Sequence, residues 1–497
     1  MSESFPTIIK ALLNPECYPE PVDHVEVIET HISWLLLAGK FAYKIKKPIT
    51  LPFLDYGSLS KRKSCCEAEL RLNSRYAPDI YIEIVAITGT PDHLEFNGHG
   101  APIEFAVKML RFSEAERLDH VCSRGQLELP QISDLANAIV TFHNHAAITT
   151  INSHFGSPDA VIAPARENFE ELYSGLNDKE LQSKLNALLT WTNSEHNRLM
   201  PNFLARKASG HVRECHGDLH LGNIVLIDGH ARLFDCIEFN ENLRWIDVAS
   251  DIAFTYMDLL DHHQSGLAGW LINEWLSMSG DYEAMPMLRF YAVYRAMVRA
   301  KVAAIRASQN HSDLNEVRRY IALAEQISSP QKLRLTITHG LAGCGKTTAS
   351  THLILDDENG STIRLRSDVE RKRLFGLAAT AKSNSTLDSG IYNQEAHQRT
   401  YHHLHQLAEL LLTNGWSVVV DAAFLKRSER DAFRDLAAKT GAEFCISAPK
   451  SSIDELRERI TNRLKNEQDA SEATLEVLEK QISAIEPLDE DERRCIR

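Results

Sequence analysis

The sequence predicts an α+β region followed by an α/β region that contains a parallel sheet. Residues 25–110 carry short alternating or apolar segments typical of strands, and residues 113–327 have mostly helical spacing. Beyond residue 331, strand-like and helix-like segments alternate, which favours a parallel sheet flanked by helices. The segment Ser328-Ser329-Pro330 interrupts the helical pattern, and we place the boundary there.

The chain length and composition are typical of a folded protein with several domains. The 497 residues predict three compact units, which we assign to residues 1–112, 113–327 and 331–497. The net charge of −14 disfavours nucleic acid and anionic membranes as partners, since both require a basic surface. Nine cysteines without C-x-x-C spacing, and the lack of an apolar run long enough to span a bilayer, predict a cytoplasmic protein.

The predicted elements follow from local periodicity. The first segment is expected to form a small antiparallel sheet with one helix, from strands at 25–29, 32–37, 41–47, 80–87 and 104–110 and a helix at 61–73. The middle segment is expected to be helical at 133–147, 168–199 and 270–306, with a hairpin at 223–235. The last segment has predicted strands at 333–338, 362–366, 418–420 and 444–448. The acidic tail around residues 489–492 is expected to fray.

Residues 216–223, which read H-G-D-L-H-L-G-N, form the first candidate site. Asp218 and Asn223 are five apart, as in the kinase catalytic loop D-x-x-x-x-N, where Asp meets the acceptor hydroxyl and Asn turns toward Mg²⁺. Asp235 follows a predicted strand, at the place of the second metal-binding carboxylate. The alternatives are that H-G-D is a turn with Asp218 as a helix cap, or that the region is a degenerate pseudokinase.

A lysine on the third predicted strand completes this first site. Lys44 is expected to pair with the α- and β-phosphates and with Glu69 on the following helix. Lys46 shares the strand face with Lys44, and Glu67 is close to Glu69, so either assignment can shift by two residues. The turn at residues 29–33, where a glycine-rich phosphate loop is expected, contains no glycine.

The H-G-D-L-H motif and its following Asn resemble the aminoglycoside phosphotransferase family, over about residues 25–305. The resemblance implies a two-lobed, protein-kinase-like fold. It also implies that Asp218 is the catalytic base, that Asn223 and Asp235 bind Mg²⁺, and that Lys44 with Glu69 positions the phosphates of ATP. Gly217 replaces the Arg found in protein kinases, and no A-P-E segment follows, so regulation by a phosphorylated activation loop is not expected.

Residues 340–347, which read G-L-A-G-C-G-K-T, form the second candidate site. They satisfy G-x-x-x-x-G-K-[ST] between a predicted strand and a helix, the setting in which backbone N–H groups cradle phosphates. Thr347 and Asp421, the latter at the end of a strand, are the predicted Mg²⁺ ligands. The predicted ATP-binding residues are Gly340, Gly343, Cys344, Gly345, Lys346, Thr347 and Thr348.

Two further groups are candidates for catalysis beside this P-loop. Asp368 follows the second predicted strand at the same sheet edge, where it can accept the proton of an acceptor hydroxyl; equally, it can be an N-cap of the helix near Val369. Arg459 and Arg463 are four apart on one helical face, which fits either a lid that carries arginines to the phosphate or a solvated surface.

The P-loop region resembles small kinases related to gluconate kinase and zeta toxins, through residues 366–376, residues 418–424 and the arginine-bearing helix. The resemblance implies that Lys346 and Thr347 bind ATP with Mg²⁺, that Asp368 engages the acceptor and that Arg463 belongs to a lid. It does not fix the acceptor. The fusion as a whole is similar to proteins that join an aminoglycoside phosphotransferase region to an ATP-binding region.

A helical stripe of arginines bears on the first acceptor. Arg295, Arg299 and Arg306 lie at helical spacing, and if they face the cleft beside Asp218 they favour an anionic acceptor. Otherwise they pair with carboxylates of the same lobe or face solvent. The sequence therefore predicts a bifunctional small-molecule kinase that uses ATP and Mg²⁺ on anionic or sugar-like acceptors. The alternative is a regulatory protein with an ATP-driven switch and a ligand-binding pseudokinase.

Overall fold

The computed structural model describes residues 6–51, 54–310, 313–379, 381, 390–466 and 474–497. It divides into two compact units. Unit 1 comprises Met1–Pro164 and Phe203–Thr255, and unit 2 comprises Ala165–Asn202 and Tyr256–Arg497. Helices from the middle of the chain thus group with the C-terminal residues, and the three segments assigned from the sequence stay a prediction. Among the described residues, none of the helices combines the length and the apolar character needed to cross a membrane.

The helices of the described residues are α1 (Thr7–Ala11), α2 (Leu59–Asn73), α3 (Leu118–Ser123), α4 (Leu129–His145), α5 (Pro158–Gly175), α6 (Lys179–Ala208), α7 (Glu241–Arg244), α8 (Val248–Asp261), α9 (Ser265–Ser279), α10 (Met285–Asn310), α11 (Asn315–Ser328), α12 (Lys346–Leu355), α13 (Ser367–Leu374), α14 (Gln394–Thr413), α15 (Arg427–Thr440), α16 (Ile453–Asn466), α17 (Leu475–Ala484) and α18 (Glu490–Arg494).

The strands are β1 (Val25–Glu29), β2 (Ser33–Ala38), β3 (Phe41–Lys46), β4 (Thr50–Leu51), β5 (Leu54–Asp55), β6 (Tyr81–Thr90), β7 (His93–Phe96), β8 (Glu104–Leu110), β9 (Val212–Glu214), β10 (Ile224–Ile227), β11 (His230–Leu233), β12 (Trp245–Asp247), β13 (Arg334–Thr338), β14 (Thr362–Arg366), β15 (Ser417–Asp421) and β16 (Glu443–Ser447).

Unit 1 is built on a six-stranded sheet in the order β1-β2-β3-β8-β6-β7, in which neighbouring strands are antiparallel. Successive residues of a strand face opposite sides of the sheet. Tyr43 and Ile45 of β3 therefore pack in the core on one side, whereas Ala42 packs with Cys66 of α2 on the other. Lys44 and Lys46 have the parity of Ala42, so β3 presents both lysines to the helix side.

Unit 2 contains a four-stranded parallel sheet in the order β14-β15-β13-β16. The loop at residues 339–345 follows β13, and Asp421 at the end of β15 lies opposite Arg366 at the end of β14. Because the strands are parallel, their carboxyl ends meet at one edge of the sheet, which is where open α/β sheets bind ligands. The predicted α/β region with a parallel sheet is confirmed.

Helices before residue 330 complete the edge of this sheet. The Asn273 amide of α9 donates to the Thr362 carbonyl (2.9 Å) and accepts from the Arg364 N–H (2.6 Å), both on the edge strand β14. The Trp416 indole N–H donates to the Met285 carbonyl of α10 (3.0 Å). The two Asn273 bonds satisfy backbone groups that the edge strand β14 otherwise leaves open. The Trp416 bond ties α10 to the segment before β15, so both helices pack with unit 2.

Three expectations from local periodicity are wrong. The pattern at 168–199 is interrupted between α5, which ends at Gly175, and α6, which begins at Lys179. The pattern at 270–306 is interrupted too, because Gly280 adopts φ +70° and ends α9 before α10 begins. The acidic tail is folded into unit 2: Asp489 caps α18 by accepting from the Glu492 N–H (2.8 Å). The Glu492 carboxylate is fully buried and accepts from Arg430 at 2.6 and 3.0 Å. A tertiary ion pair therefore overrides the tendency of a charged terminus to fray.

Candidate active sites

Lys44 of β3 lies at the centre of the site in unit 1. Its Nζ is 2.8 Å from the Glu69 Oε1 of α2 and 2.5 Å from the Asp235 Oδ1, which follows β11. Glu67 is exposed and lies 3.7 Å from Lys63 at the helix surface. The structure therefore brings Lys44, Glu69 and Asp235 together and leaves Glu67 outside the group.

Lys46 forms a second, buried pair beside the first. Its Nζ is 2.7 Å from the other oxygen of Glu69, and it also donates to Glu238. The Tyr56 hydroxyl donates to Glu238 as well. Sequence reasoning missed Glu238 and Tyr56, because neither belongs to a motif and the contact with Lys46 joins residues 192 apart.

The charges of this group are fixed by its neighbours. Burial by itself raises the pKa of Glu69, but the two ammonium groups outweigh it and hold the pKa at about 2. Burial lowers the pKa of Lys44, yet Asp235 and Glu69 raise it well above its ordinary value. At neutral pH Lys44 is thus cationic, the charge that attracts a phosphate group, and Glu69 is anionic, the charge that keeps the ammonium group in place.

The loop that carries Asp218 is held by a buried carboxylate. Asp251 of α8 accepts from the backbone N–H groups of His216 (3.1 Å) and Gly217 (2.9 Å), and lies 3.1 Å from the His143 Nε2. Burial raises the pKa of Asp251, but His143, the nearby His216 and the Gly217 N–H bring it down to about 2. The His216 Nε2 donates to the Phe234 carbonyl (2.8 Å), which ties the loop to the segment before Asp235.

Asp218 and Asn223 face each other across this loop. The Asn223 Nδ2 donates to the Asp218 carbonyl (2.9 Å) and to its Oδ2 (3.0 Å). The residue that caps the short 3-10 turn at 221–223 is His220, whose side chain accepts from the Gly222 N–H; the alternative that Asp218 is a helix cap is therefore wrong. The Asp218 side chain is 36% exposed and that of Asp235 is 40% exposed, so both carboxylates remain accessible.

The turn between β1 and β2 is short and closed by its own side chain. The Thr30 Oγ1 accepts from the Ser33 N–H (2.9 Å), and the Thr30 N–H donates to the Ser33 carbonyl (2.9 Å). A turn closed in this way has its polar groups paired internally rather than directed at a phosphate.

The P-loop in unit 2 joins β13 to α12. Gly340, Gly343 and Gly345 have φ values of +142°, +81° and +94°, a region that L side chains rarely adopt. The Lys346 Nζ donates to the carbonyls of Gly340 (3.0 Å) and Leu341 (2.7 Å), so the lysine lies along the first half of the loop. Cys344 is buried and packs against α16 and α17.

A cavity of about 1100 Å³ opens at this loop. All the predicted residues from Gly343 to Thr348 line it, together with Asp368 and Asp421. Asp421 is 7% exposed, and its Oδ2 accepts from the Ser350 hydroxyl of α12 (3.3 Å). The cavity therefore places both predicted carboxylates beside the P-loop. Its volume lies slightly above the range of about 300–1,000 Å³ that is typical of ligand pockets.

Asp368 belongs to the first turn of α13, whose N-cap is Arg366. The alternative that Asp368 itself is the N-cap is therefore wrong. Sequence reasoning did not single out several other side chains that line the cavity: Arg371, His397, Tyr401, Lys426, Glu429, Lys450, Lys480 and Gln481. Most belong to helices outside any nucleotide-binding motif, and only Arg371 lies within residues 366–376, which carry part of the resemblance to small kinases.

Of the two arginines considered for a lid, the structure describes the side chain of Arg459 but not that of Arg463. Arg459 of α16 lines the cavity and donates to the Gly343 carbonyl (3.3 Å) and the Ser451 hydroxyl (3.0 Å). Arg463 belongs to the same helix, but its side chain lies outside the described residues.

The arginine stripe of α10 contacts its neighbour α11. Arg299 donates to the Tyr320 hydroxyl (3.2 Å), and Arg306 lies 3.4 Å from Glu316. Arg295 is 3% exposed, with its guanidinium 5.0 Å from the Tyr294 ring centre. The contacts of Arg299 and Arg306 hold two helices together, which is a structural role.

Comparisons with known proteins agree with this division of chemistry. Residues 110–289 match the model of the phosphotransferase enzyme family, and residues 335–488 match the model of an AAA domain. An uncharacterized protein of Mycobacterium tuberculosis is 28% identical over 448 residues, which cover 90% of this chain and 88% of that protein.

Two solved structures are also similar to this chain. A choline/ethanolamine kinase family protein of Mesorhizobium loti is 9% identical with a TM-score of 0.40. The match covers 61% of this chain and 87% of the chain in that structure. A choline kinase of Cryptosporidium parvum is 13% identical with a TM-score of 0.43, and covers 65% and 95%. The two family models confirm the predicted fusion: residues 110–289 match the phosphotransferase enzyme family, and residues 335–488, which contain the P-loop and the parallel sheet, match an AAA domain.

Proposed function

We propose that the chain is a bifunctional ATP-dependent kinase that transfers the γ-phosphate to hydroxyl groups of small molecules. The observation that carries the proposal is the contact of Lys44 with both Glu69 and Asp235, since Lys44 and Asp235 are 191 residues apart. A tertiary structure that assembles the residues of kinase chemistry in one place favours an enzyme over a chance match of motifs.

In the first site, Asp218 is the proposed general base. It accepts the proton of the acceptor hydroxyl while that oxygen bonds to the γ-phosphorus and the bond to the β-phosphate oxygen breaks, so that ADP leaves. Lys44, oriented by Glu69, holds the α- and β-phosphates. Asn223 and Asp235 offer an amide and a carboxylate oxygen to Mg²⁺, which supplies charge neutralisation when bound.

In the second site, the proposed roles belong to residues that line the cavity. Lys346 and the P-loop residues bind ATP, Thr347 and Asp421 are the Mg²⁺ ligands, and Asp368 accepts the proton of a second acceptor. Arg463 stays a predicted lid residue. We propose a sugar-like or anionic small molecule as acceptor and a cytoplasmic location, with neither nucleic acid nor membrane as partner.

One observation favours a regulatory function as the second candidate. The turn at Thr30 is closed on itself, and a kinase domain that lacks a glycine-rich loop has a weaker hold on the nucleotide. In this alternative, unit 1 binds a ligand without transferring phosphate, and the P-loop acts as an ATP-driven switch.

The variants Asp218→Ala and Lys346→Ala separate the two candidates. Each is incubated with ATP, Mg²⁺ and a panel of sugars, sugar acids and nucleotide sugars, and phosphorylated products are detected by mass spectrometry. Asp92→Ala and Lys332→Ala are the matched controls, since both side chains are exposed.

A bifunctional kinase yields one product that requires Asp218 and another that requires Lys346, and both remain in the control variants. If no product depends on Asp218 while turnover of ATP still requires Lys346, the first region is a binding module and the regulatory candidate stands. If no product depends on either residue, the proposed kinase function is wrong.

A further inference from the structure

Two helices outside the P-loop motif, α16 and α17, pack against the P-loop. Ala342 and Cys344 pack with Leu456 and Ile460 of α16 and with Leu478 of α17. A Cβ on Gly343 would lie 3.2 Å from the Leu456 carbonyl, so α16 approaches the loop backbone directly. The middle of the loop, residues 342–344, is therefore part of a small core shared with α16 and α17.

One polar side chain of α17 also contacts this middle part of the loop. The Gln481 Oε1 accepts from the Ala342 N–H at 2.7 Å, and both residues line the cavity. Because a backbone N–H can only donate, the atom of the Gln481 amide that faces Ala342 is the oxygen. The amide nitrogen, Nε2, is the other polar atom of this side chain. That nitrogen is a donor, and donors are what phosphate oxygens require.

The position of Gln481 along the loop indicates which phosphates it meets. The P-loop lysine reaches the β- and γ-phosphates. In this structure the Lys346 Nζ lies 2.7 Å from the Leu341 carbonyl, one residue before Ala342. Gln481 thus stands at the end of the loop where the terminal phosphates are bound, away from the Gly345 end where α12 begins.

The helix that carries Gln481 is anchored at its far end. The Glu486 N–H, just beyond α17, donates to the Leu425 carbonyl (2.9 Å), and its carboxylate accepts from the Arg427 N–H (2.6 Å). Arg430 donates to the Glu486 carbonyl (3.2 Å). An anchored helix and the bond to Ala342 together hold the Gln481 amide at a defined place, which is what a binding residue needs.

We propose that Gln481 is a nucleotide-binding residue that distinguishes tri- from diphosphate: its Oε1 holds the Ala342 N–H, and its Nε2 donates to a terminal phosphate oxygen. The inference rests on the proposed ATP binding at the P-loop. It adds a residue of α17 to a site that the motif assigns to the loop alone.

The test measures binding of ADP and of a non-hydrolysable ATP analogue, both with Mg²⁺, to the full chain by calorimetry. Binding that is lost in Lys346→Ala defines the P-loop share. The variant Gln481→Glu keeps an acceptor for Ala342 but replaces the donor with a negative charge. We expect it to weaken binding of the triphosphate analogue about tenfold or more and of ADP less than about threefold. Ser483→Ala, exposed on the same helix, is the matched control and leaves both affinities unchanged.

Equal losses for the two nucleotides in Gln481→Glu would make Gln481 a support of the loop and overturn the proposal, as would unchanged binding of both. If Gln481→Glu does not fold, Gln481→Ala decides by the same ratio of affinities. If the wild-type chain shows no binding that depends on Lys346, the proposed function of the P-loop is wrong, and the role of Gln481 falls with it.

Discussion

The two candidate sites hold their lysines by different means. In unit 1, the Lys44 Nζ contacts two carboxylates, Glu69 at 2.8 Å and Asp235 at 2.5 Å. In unit 2, the Lys346 Nζ contacts two backbone carbonyls, those of Gly340 and Leu341 at 3.0 and 2.7 Å. The first site is therefore organised by paired side-chain charges, and the second by the conformation of the main chain.

The difference has a consequence for how each site tolerates substitution. Removing one member of a buried charge pair leaves an uncompensated charge, which lowers the stability of the fold as well as activity. Removing a side chain that borders a backbone loop leaves the loop hydrogen bonds intact and mainly weakens binding. We therefore expect substitutions in unit 1 to lower stability and those in unit 2 to lower affinity.

Glu69→Gln should have the largest effect. Glu69 is fully buried and accepts from Lys44 and Lys46, so the variant should destabilise unit 1 by about 4 kcal/mol. Hydrogen–deuterium exchange would localise the loss, with faster exchange in β3 and α2 and little change in α12. Glu67→Gln, two residues away and exposed, is the matched control, with an expected change below about 0.5 kcal/mol. Equal effects of the two variants would contradict the comparison.

Gly217→Ala tests whether the loop that carries Asp218 is as rigid as its contacts indicate. Gly217 has φ +86°, and a Cβ there would lie 2.6 Å from the Leu243 carbonyl, so we expect a loss on the order of 3 kcal/mol in denaturant unfolding. Gly345→Ala in the P-loop has φ +94° with nothing within 4 Å, and should lose only about 1–2 kcal/mol. A loss for Gly345→Ala as large as that for Gly217→Ala would remove the contrast.

Acid should weaken unit 1 through its two buried carboxylates. Folding lowers the pKa of Glu69 from 4.5 to about 2 and that of Asp251 from 3.8 to about 2. Below about pH 4.5 the unfolded chain therefore binds more protons than the folded one, so stability falls as the pH drops toward 2, by on the order of 2 kcal/mol for each group. Unfolding midpoints measured from pH 6 to pH 2 should decline, and Glu69→Gln should flatten the decline. An equal slope in this variant would exclude Glu69 as a source.

Arg459→Ala should have the smallest effect, and it concerns binding. Arg459 is exposed and donates to the Gly343 carbonyl at the cavity, so the variant should weaken ATP binding at the P-loop about threefold with stability unchanged. Arg457→Ala, which removes a surface pair with Glu479, is the control and should bind ATP like the wild type. Identical binding of ATP by Arg459→Ala and by the wild type would support the alternative interpretation, in which the arginines of α16 form a solvated helix surface and not a lid.

The parts of the sites that the sequence predicted are those written in local patterns. The spacing of Asp218 and Asn223, and the eight residues from Gly340 to Thr347, each satisfy a motif whose members lie within one loop. The parallel sheet at the P-loop followed from the alternation of strands and helices, because parallel strands need crossovers. Such features depend on neighbours in the chain, and one sequence is enough to see them.

Contacts between distant residues were beyond that reach. The two-residue ambiguity between Glu67 and Glu69 is resolved by the side of α2 that packs on β3, and the pairing of Lys46 with Glu238 carries no periodic signal. The burial of Glu492 with Arg430 reversed the expectation of a frayed end.

The sequence by itself determined that two phosphate-binding motifs of different architecture stand in one chain, and in which order. Only the tertiary structure decided which lysine meets Asp235, which helices close over the P-loop and that Gln481 reaches Ala342. The physical reason is that motifs are encoded by backbone geometry over a few residues. Pairing across the fold depends on packing, which has no fixed spacing in the chain.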